Sequence, residues 1–238
     1  MIQSYIFDLY GTLVDIRTDE TMPLLWKRMA LLLSLQGAPY GPEELRSAYR
    51  LAVEEQIDRR AAERPQVPRA HVEPEILNVF RSLYEDKGVL PREDRLMDTA
   101  LYFRTLSMRH LRLYPGAREV LEALRRKGKG VYLLSNAQAA FTMPELRKLG
   151  LVPCFDGVVL SSDAGVKKPD AAIFDCILSR YGLDPKECLM IGNDAEADML
   201  GAVRAGMAGR YIHTKQSPPR MGPLPDGCRE IRSLRELL

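Results

Sequence analysis

Carboxylates that follow apolar runs are the residues of this chain best suited to do chemistry. Asp8 comes directly after Tyr5-Ile6-Phe7 and just before a chain reversal at Gly11 and Thr12. Asp194 and Asp198 follow a second run, Cys188-Leu189-Met190-Ile191, by way of Gly192 and Asn193. Between them in sequence lie Ser135-Asn136, directly after Val131-Tyr132-Leu133-Leu134, and Lys168, directly before Pro169-Asp170. A carboxylate at the end of a buried strand can be a nucleophile, a metal ligand or both. A hydroxyl and an amide at the end of another strand can hold an oxygen of a bound anion. A lysine restrained by a following proline can neutralise an anion and a carboxylate together. Gly11 permits the tight path that lets turn amides face the anion, and Thr12 adds a hydroxyl.

Asp8, the Tyr10 carbonyl and Asp194 offer hard oxygen ligands of the kind Mg²⁺ takes. Asp198, four residues beyond Asp194 and on the same helical face, is placed to orient water or Lys168 rather than to bind metal, with Asn193 beside it. Each residue also has an ordinary structural role: Asp8 as a turn former, Ser-Asn as a helix cap, Asp194 and Asp198 as acids favoured by a helix dipole. Recurrence at successive strand ends argues against taking each alone. Asp15, by contrast, reads as structural.

Elements that position these groups follow from periodicity. Residues 4–9 form a first buried strand, and helical patterns with turns then run from about residue 16 to 110 without a clear strand. From residue 111 onward, short apolar strands near 131–134, 157–160, 188–191 and 209–213 alternate with helices. Alternation of this kind specifies a parallel sheet covered on both faces, and open sheets of this type bind ligands at the carboxyl ends of their strands. The expected architecture is α/β: a parallel sheet with helices on both faces and about 95 residues of helix and turn inserted after the first strand. A loop with four prolines between Lys215 and Asp226 precedes a short closing helix.

Composition excludes several classes. With 238 residues and 46% hydrophobic content the chain can build a substantial core, and a net charge of +2 gives no reason to expect nucleic acid as a partner. Four scattered cysteines without a CxxC pair argue against structural zinc. No apolar stretch approaches a membrane span and no basic leader opens the sequence, so a cytoplasmic protein with a small-molecule substrate is expected.

These motifs, in this order, resemble the haloacid dehalogenase superfamily of hydrolases: strand-Asp8-x-x-Gly11-Thr12, strand-Ser135-Asn136, Lys168-Pro169-Asp170 and strand-Gly192-Asn193-Asp194-x-x-x-Asp198. The resemblance covers nearly the whole chain, and it implies a Rossmann-like parallel sheet covered by helices on both faces with an all-helical cap inserted after the first strand, residues 1–15 and 111–238 forming the core and 16–110 the cap. It implies Asp8 as nucleophile, Ser135 and Lys168 as groups that stabilise charge on the substrate, and Asp194 as a Mg²⁺ ligand in the phosphatases. Tyr10 departs from the phosphatase pattern, which usually has a second aspartate there as general acid and base, and resembles the dehalogenases. Phe174 and the Gly-Asn-Asp motif depart from the dehalogenases, which need no metal. A Mg²⁺-dependent phosphatase acting through an aspartyl-phosphate on a small metabolite is therefore expected. The alternatives are a metal-free 2-haloacid dehalogenase and a phosphate-binding protein with little turnover. Specificity is expected to reside in the cap, where Trp26, Lys27, Arg28, Arg59, Arg60, Arg64 and His71 are candidate groups, each with an ordinary packing or surface role as the main alternative.

Overall fold

A computed structural model describes residues 1–238. In chain order its elements begin with β1 (Ser4–Phe7) and β2 (Val14–Thr18), followed by helices α1 (Pro23–Leu35), α2 (Pro42–Glu63), α3 (Ile76–Glu85) and α4 (Glu93–Ser107). The strand β3 (Met108–Leu113) returns the chain to α5 (Ala117–Arg126), β4 (Gly130–Ser135), α6 (Ala139–Lys148), β5 (Gly157–Leu160), α7 (Ser161–Ala164) and α8 (Ala171–Tyr181). Then come β6 (Cys188–Gly192), a π-helical turn (Ala195–Leu200) continued by α9 (Gly201–Arg204), β7 (Ala208–Ile212) and β8 (Cys228–Ile231).

Six strands form a parallel sheet in the order β5-β4-β1-β6-β7-β8. Alternation along the strands assigns neighbouring side chains to opposite faces. Phe7, Leu133, Leu189 and Ile191 pack with α5 residues Val120, Leu121 and Leu124 on one face. Ile6, Leu134, Val159 and Met190 pack with α8 residues Ile173, Phe174 and Ile177 on the other. With β1 central, Asp8 emerges at the carboxyl edge between the ends of β4 and β6, and its amide donates to the Ile191 carbonyl at 2.8 Å.

Helices α1–α4 bury an apolar cluster of their own. Trp26, Tyr49, Phe80 and Phe103 meet at ring-centroid distances of 5.2–6.0 Å. Burying each such ring contributes about 1.5–3 kcal/mol. Phe141 of α6 joins this cluster and stacks on Phe103 at 6.4 Å, so the inserted helices rest on the core through α6.

The structure corrects the sequence reading at several places. β2 and β3 lie in the stretch read as free of clear strands, and they pair antiparallel as a separate ribbon. Arg17, Arg109 and Arg112 interrupt their apolar pattern because a two-stranded ribbon leaves one face in water. The edge strand β8 escaped notice for a similar reason, since Arg229 and Glu230 are exposed. The helix expected between the strands near 188–191 and 209–213 is one π-helical turn and a short α-helix. No helix is long and apolar enough to cross a membrane.

Candidate active site

Asp8 is almost wholly buried, and three side chains hold its carboxylate. Lys168 Nζ and Ser135 Oγ donate to Oδ1 at 2.8 and 3.1 Å, and Thr12 Oγ1 reaches Oδ2 at 3.1 Å. The ammonium is shared: Lys168 also donates to Asp198 Oδ1 at 2.6 Å and to the Leu134 carbonyl at 2.9 Å. Burial alone would push the lysine towards its neutral form, but Asp198 and Asp8 outweigh burial, and its pKa rises. Lys168 is therefore a permanent cation. The Asp198 carboxyl is held above the usual carboxylate range, chiefly by burial, with Lys168 opposing and Asp8 reinforcing the shift.

Local sequence explains this precision. A Cβ on Gly192 would lie 2.1 Å from Asp198 Oδ2, so only glycine lets that carboxylate fold back beneath the strand end. There Oδ2 accepts the Asp194 amide at 2.9 Å while Oδ1 faces the lysine. Gly11 has φ +86°, and a Cβ there would meet the Asn193 side chain at 2.4 Å. Asn136 grips the backbone of Lys168 from both sides, donating to its carbonyl at 3.0 Å and accepting its amide at 2.8 Å. The restraint on Lys168 thus comes from Asn136 as well as from Pro169.

Several sequence-predicted residues take different positions from those expected. The Gly11 amide is spent on the Val14 carbonyl and the Thr12 amide on Leu9, so neither is free to face an anion. The Thr12 hydroxyl is fully buried between Asp8 and Asn193 Oδ1, the latter at 3.2 Å. The amides of Leu9, Tyr10, Asn136 and Asn193 have no protein acceptor and are free donors near Asp8. Asn193 braces Thr12 rather than the water or metal side of the site.

The ligand set expected for a divalent ion is two carboxylates and a carbonyl, and no group of three or more His, Cys, Asp or Glu side chains is arranged to hold a metal ion. Asp194 spends Oδ1 on capping the amides of Glu196 and Ala197, both at 2.9 Å, and leaves Oδ2 without a protein donor. The Tyr10 carbonyl likewise accepts no protein hydrogen bond. These spare hard oxygens border the same cavity as Asp8, and they fit Mg²⁺ in chemical type.

The Tyr10 phenol turns away from catalytic work. It donates to Glu145 Oε2 at 2.5 Å and lies 3.0 Å from the Thr142 hydroxyl, while Arg104 of α4 holds Glu145 Oε1 at 2.6 Å. Burial and the Glu145 charge push the phenol well above its ordinary pKa, so it is a poor proton donor. No signal in the sequence pairs Tyr10 with Glu145.

The cavity above Asp8 has a volume of about 150 Å³, and none of its lining residues belongs to helices α1–α4. The candidate specificity groups of the inserted segment lie elsewhere. Trp26 packs against Tyr49 and Phe103 within that segment, and Lys27, Arg28 and Arg59 are exposed. Arg60 binds the Glu73 and Ser162 carbonyls, Arg64 the Ala164 carbonyl, and His71 approaches Asp170 at 3.4 Å. Val72 forms a bridge with Val166, flanked by backbone bonds from Glu73 to Gly165 and from Lys167 to His71. These contacts staple the inserted helices to the loop that carries Lys168. The remaining cavity wall comes from Gln216 and Pro218, which sequence reading passed over as loop.

Comparison with known proteins agrees with this geometry. The phosphoserine phosphatase of Thermus thermophilus is 32% identical over 148 residues, covering 62% of this chain and 58% of that protein. The chain spans about half the length of the curated relatives it matches. Among solved structures, the 2-haloacid dehalogenase of Pseudomonas syringae superposes with a TM-score of 0.65 at 23% identity, covering 100% of this chain and 96% of that one. The magnesium-bound HAD-hydrolase YfnB of Bacillus subtilis superposes with a TM-score of 0.57 at 22% identity, covering 99% and 96%. Both structures share the core sheet with a helical insertion. The model of the haloacid dehalogenase-like hydrolases matches residues 2–206, the span that carries Asp8, Ser135 and Asp194 at strand ends and Lys168 in the loop before α8, and the chain belongs to that family.

Proposed function

We propose that this protein is a Mg²⁺-dependent phosphomonoesterase that acts on a small phosphorylated metabolite through an aspartyl-phosphate at Asp8. The observation that carries this reading is the division of labour around one carboxylate. Lys168 and Ser135 hold Asp8 Oδ1, while Asp194 Oδ2 and the Tyr10 carbonyl stay unpaired at the same cavity. A halide leaving group needs no such additional oxygens, whereas a phosphoryl group brings charge that a cation must offset. The sequence similarity to a phosphoserine phosphatase supports the same choice.

In this reading Asp8 Oδ2 attacks phosphorus in line, the phosphorus–oxygen ester bond breaks, and the leaving oxygen departs with the bond pair. Lys168, the Ser135 hydroxyl and the free amides of Leu9, Tyr10 and Asn136 take up charge on the nonbridging oxygens. Asp8, Asp194 and the Tyr10 carbonyl would hold Mg²⁺, which supplies Lewis-acid compensation of phosphoryl charge. Water then attacks phosphorus, releases inorganic phosphate and restores the Asp8 carboxylate.

Position 10 contributes no general acid, because its phenol is committed to Glu145. General acid help is worth about 10²–10⁴ in rate, so esters with good leaving groups react fastest. The test is a panel of aryl, acyl and alkyl phosphates and 2-haloacids, each with Mg²⁺ and with chelator. Mg²⁺-dependent phosphate release, fastest from aryl and acyl phosphates, is the expected result. Halide release that persists in chelator would overturn it.

A further inference from the structure

We infer that Gln216 selects the leaving group of the substrate, favouring phosphomonoesters that carry a hydrogen-bond donor, a hydroxyl or an ammonium, next to the ester oxygen. The inference rests on the phosphatase reading and adds the substrate class to it.

Gln216 lies in the loop after β7 and borders the cavity above Asp8. Its Nε2 donates to Asp15 Oδ1 at 2.9 Å and to the Ile16 carbonyl at 2.5 Å. Both partners are acceptors only, which fixes the orientation of the amide: nitrogen faces the ribbon, and oxygen faces away from it. Both amide hydrogens are thereby used. The only hydrogen-bonding capacity left is Oε1, and no protein donor reaches it. The loop is held independently, by Thr214 Oγ1 donating to the Gly11 carbonyl at 2.8 Å and by Ser217 Oγ accepting the Thr214 amide at 2.9 Å. Gln216 is therefore a fixed acceptor rather than a mobile side chain.

In the phosphatase reading the other charged groups and free amides at the cavity serve the phosphoryl group or its cation. Lys168, Ser135 and the free amides are donors to its oxygens, and Asp8 and Asp194 are negative. A volume of about 150 Å³ equals the liquid share of about five water molecules, at ~30 Å³ each. With a phosphoryl group at Asp8, the atoms next to the ester oxygen share this cleft with Gln216. An uncharged acceptor there satisfies a hydroxyl or ammonium and leaves an aliphatic chain with an unpaired amide oxygen beside it, a mismatch that costs binding.

The test compares 2-hydroxyethyl phosphate with propyl phosphate, which have the same number of heavy atoms and differ in one donor. The wild type is expected to prefer the hydroxyl ester by about tenfold in kcat/KM, the value of one hydrogen bond. Gln216→Met keeps length and removes the acceptor, and should shrink the preference to within about twofold. Thr214→Val loosens the same loop, removing the hydroxyl that accepts the Gln216 backbone amide at 3.3 Å, but keeps the Gln216 side chain, and should retain the preference even if both rates fall. Any difference in leaving-group basicity is common to all variants and cancels in the comparison. A wild type with no preference, or Gln216→Met with the preference intact, would overturn the inference while p-nitrophenyl phosphate turnover still supports the phosphatase reading. Absence of turnover on all three esters overturns both.

Discussion

Two buried carboxylates lie on either side of Tyr10, each held by a long cation, and they have opposite chemical prospects. Glu145 is saturated: Arg104 takes one oxygen at 2.6 Å and the Tyr10 phenol the other at 2.5 Å. The guanidinium also covers the Phe141 ring at 5.1 Å, closing the centre off. Asp8 is also held by a cation, but it sits among oxygens and amides that have no partner: Asp194 Oδ2, the Tyr10 carbonyl, and the amides of Leu9, Tyr10 and Asn136. Burial and ion pairing are common to both centres and do not distinguish them. Spare hydrogen-bonding capacity does, and it marks one centre as a site and the other as a clasp between α4 and α6.

Asp8→Asn tests the open centre most severely. Without a nucleophilic carboxylate, kcat should fall by about 10⁴-fold or more, measured as phosphate release from p-nitrophenyl phosphate, with the circular dichroism spectrum unchanged. Residual activity within tenfold of wild type would mean that Asp8 is not the attacking group.

Lys168→Met separates catalysis from stability at the same centre. It leaves Asp8 and Asp198 buried without their shared cation, a change expected to cost about 3–5 kcal/mol, read by urea unfolding. Adding Asp198→Asn removes one of the stranded charges and should recover part of that loss while activity stays absent. If the double variant were no more stable than the single one, the lysine would not be acting as the counter-ion of Asp198.

The clasp should respond in the reverse sense. Arg104→Ala removes the cation from a carboxylate that is 6% exposed, with the arginine itself at 14%, and should cost about 2 kcal/mol, less than for a fully buried pair. Tyr10→Phe removes one hydrogen bond and should cost about 1 kcal/mol. Because the phenol is not the proton donor, its loss should change aryl phosphate turnover by less than about threefold, far below the effect of losing a general acid. A 100-fold loss of kcat with stability intact would return Tyr10 to the chemistry. Tyr10→Asp sharpens the point: it restores the acid usual among the phosphatases but breaks the clasp, and its benefit should appear on alkyl esters ahead of aryl ones.

The open centre was readable in the sequence because it is built from residues at strand ends. An apolar run fixes where a strand stops, and in a parallel sheet all such stops share one edge, so Asp8, Ser135 and Asp194 were brought together by periodicity and order alone. Lys168 was readable from its place before Pro169, although the grip of Asn136 on its backbone was not. The clasp left no such trace. Arg104 and Glu145 sit in helices whose other charges face solvent, they are 41 residues apart, and either would pass as a surface residue. Nor does residue type reveal which turn amides are free; that depends on the hydrogen bonds closing the turn after Leu9. Gln216 escaped because loops carry no periodicity, although its position after a parallel strand puts it on the same edge as the rest.

A third carboxylate, Asp15, lies in the ribbon and offers the smallest effect. His110 Nε2 reaches Oδ1 at 2.9 Å, and Arg112 reaches Oδ2 at 2.9 Å through Nε and 2.7 Å through Nη2. The His110 hydrogen bond, followed by that of Arg112, holds its carboxyl below the ordinary aspartate range. A carboxyl with a lowered native pKa binds its proton less readily folded than unfolded. Its contribution is therefore complete above the unfolded value of about 3.9 and disappears as the pH falls through the lower native value. The Tm difference between wild type and Asp15→Asn should shrink towards zero as the pH falls from about 4 to about 2. A difference that stays constant to pH 2 would show that Asp15 acts through shape and neutral hydrogen bonds, as a closed centre does when its charge is incidental. Disappearance of the difference would show that the ribbon is held by charge.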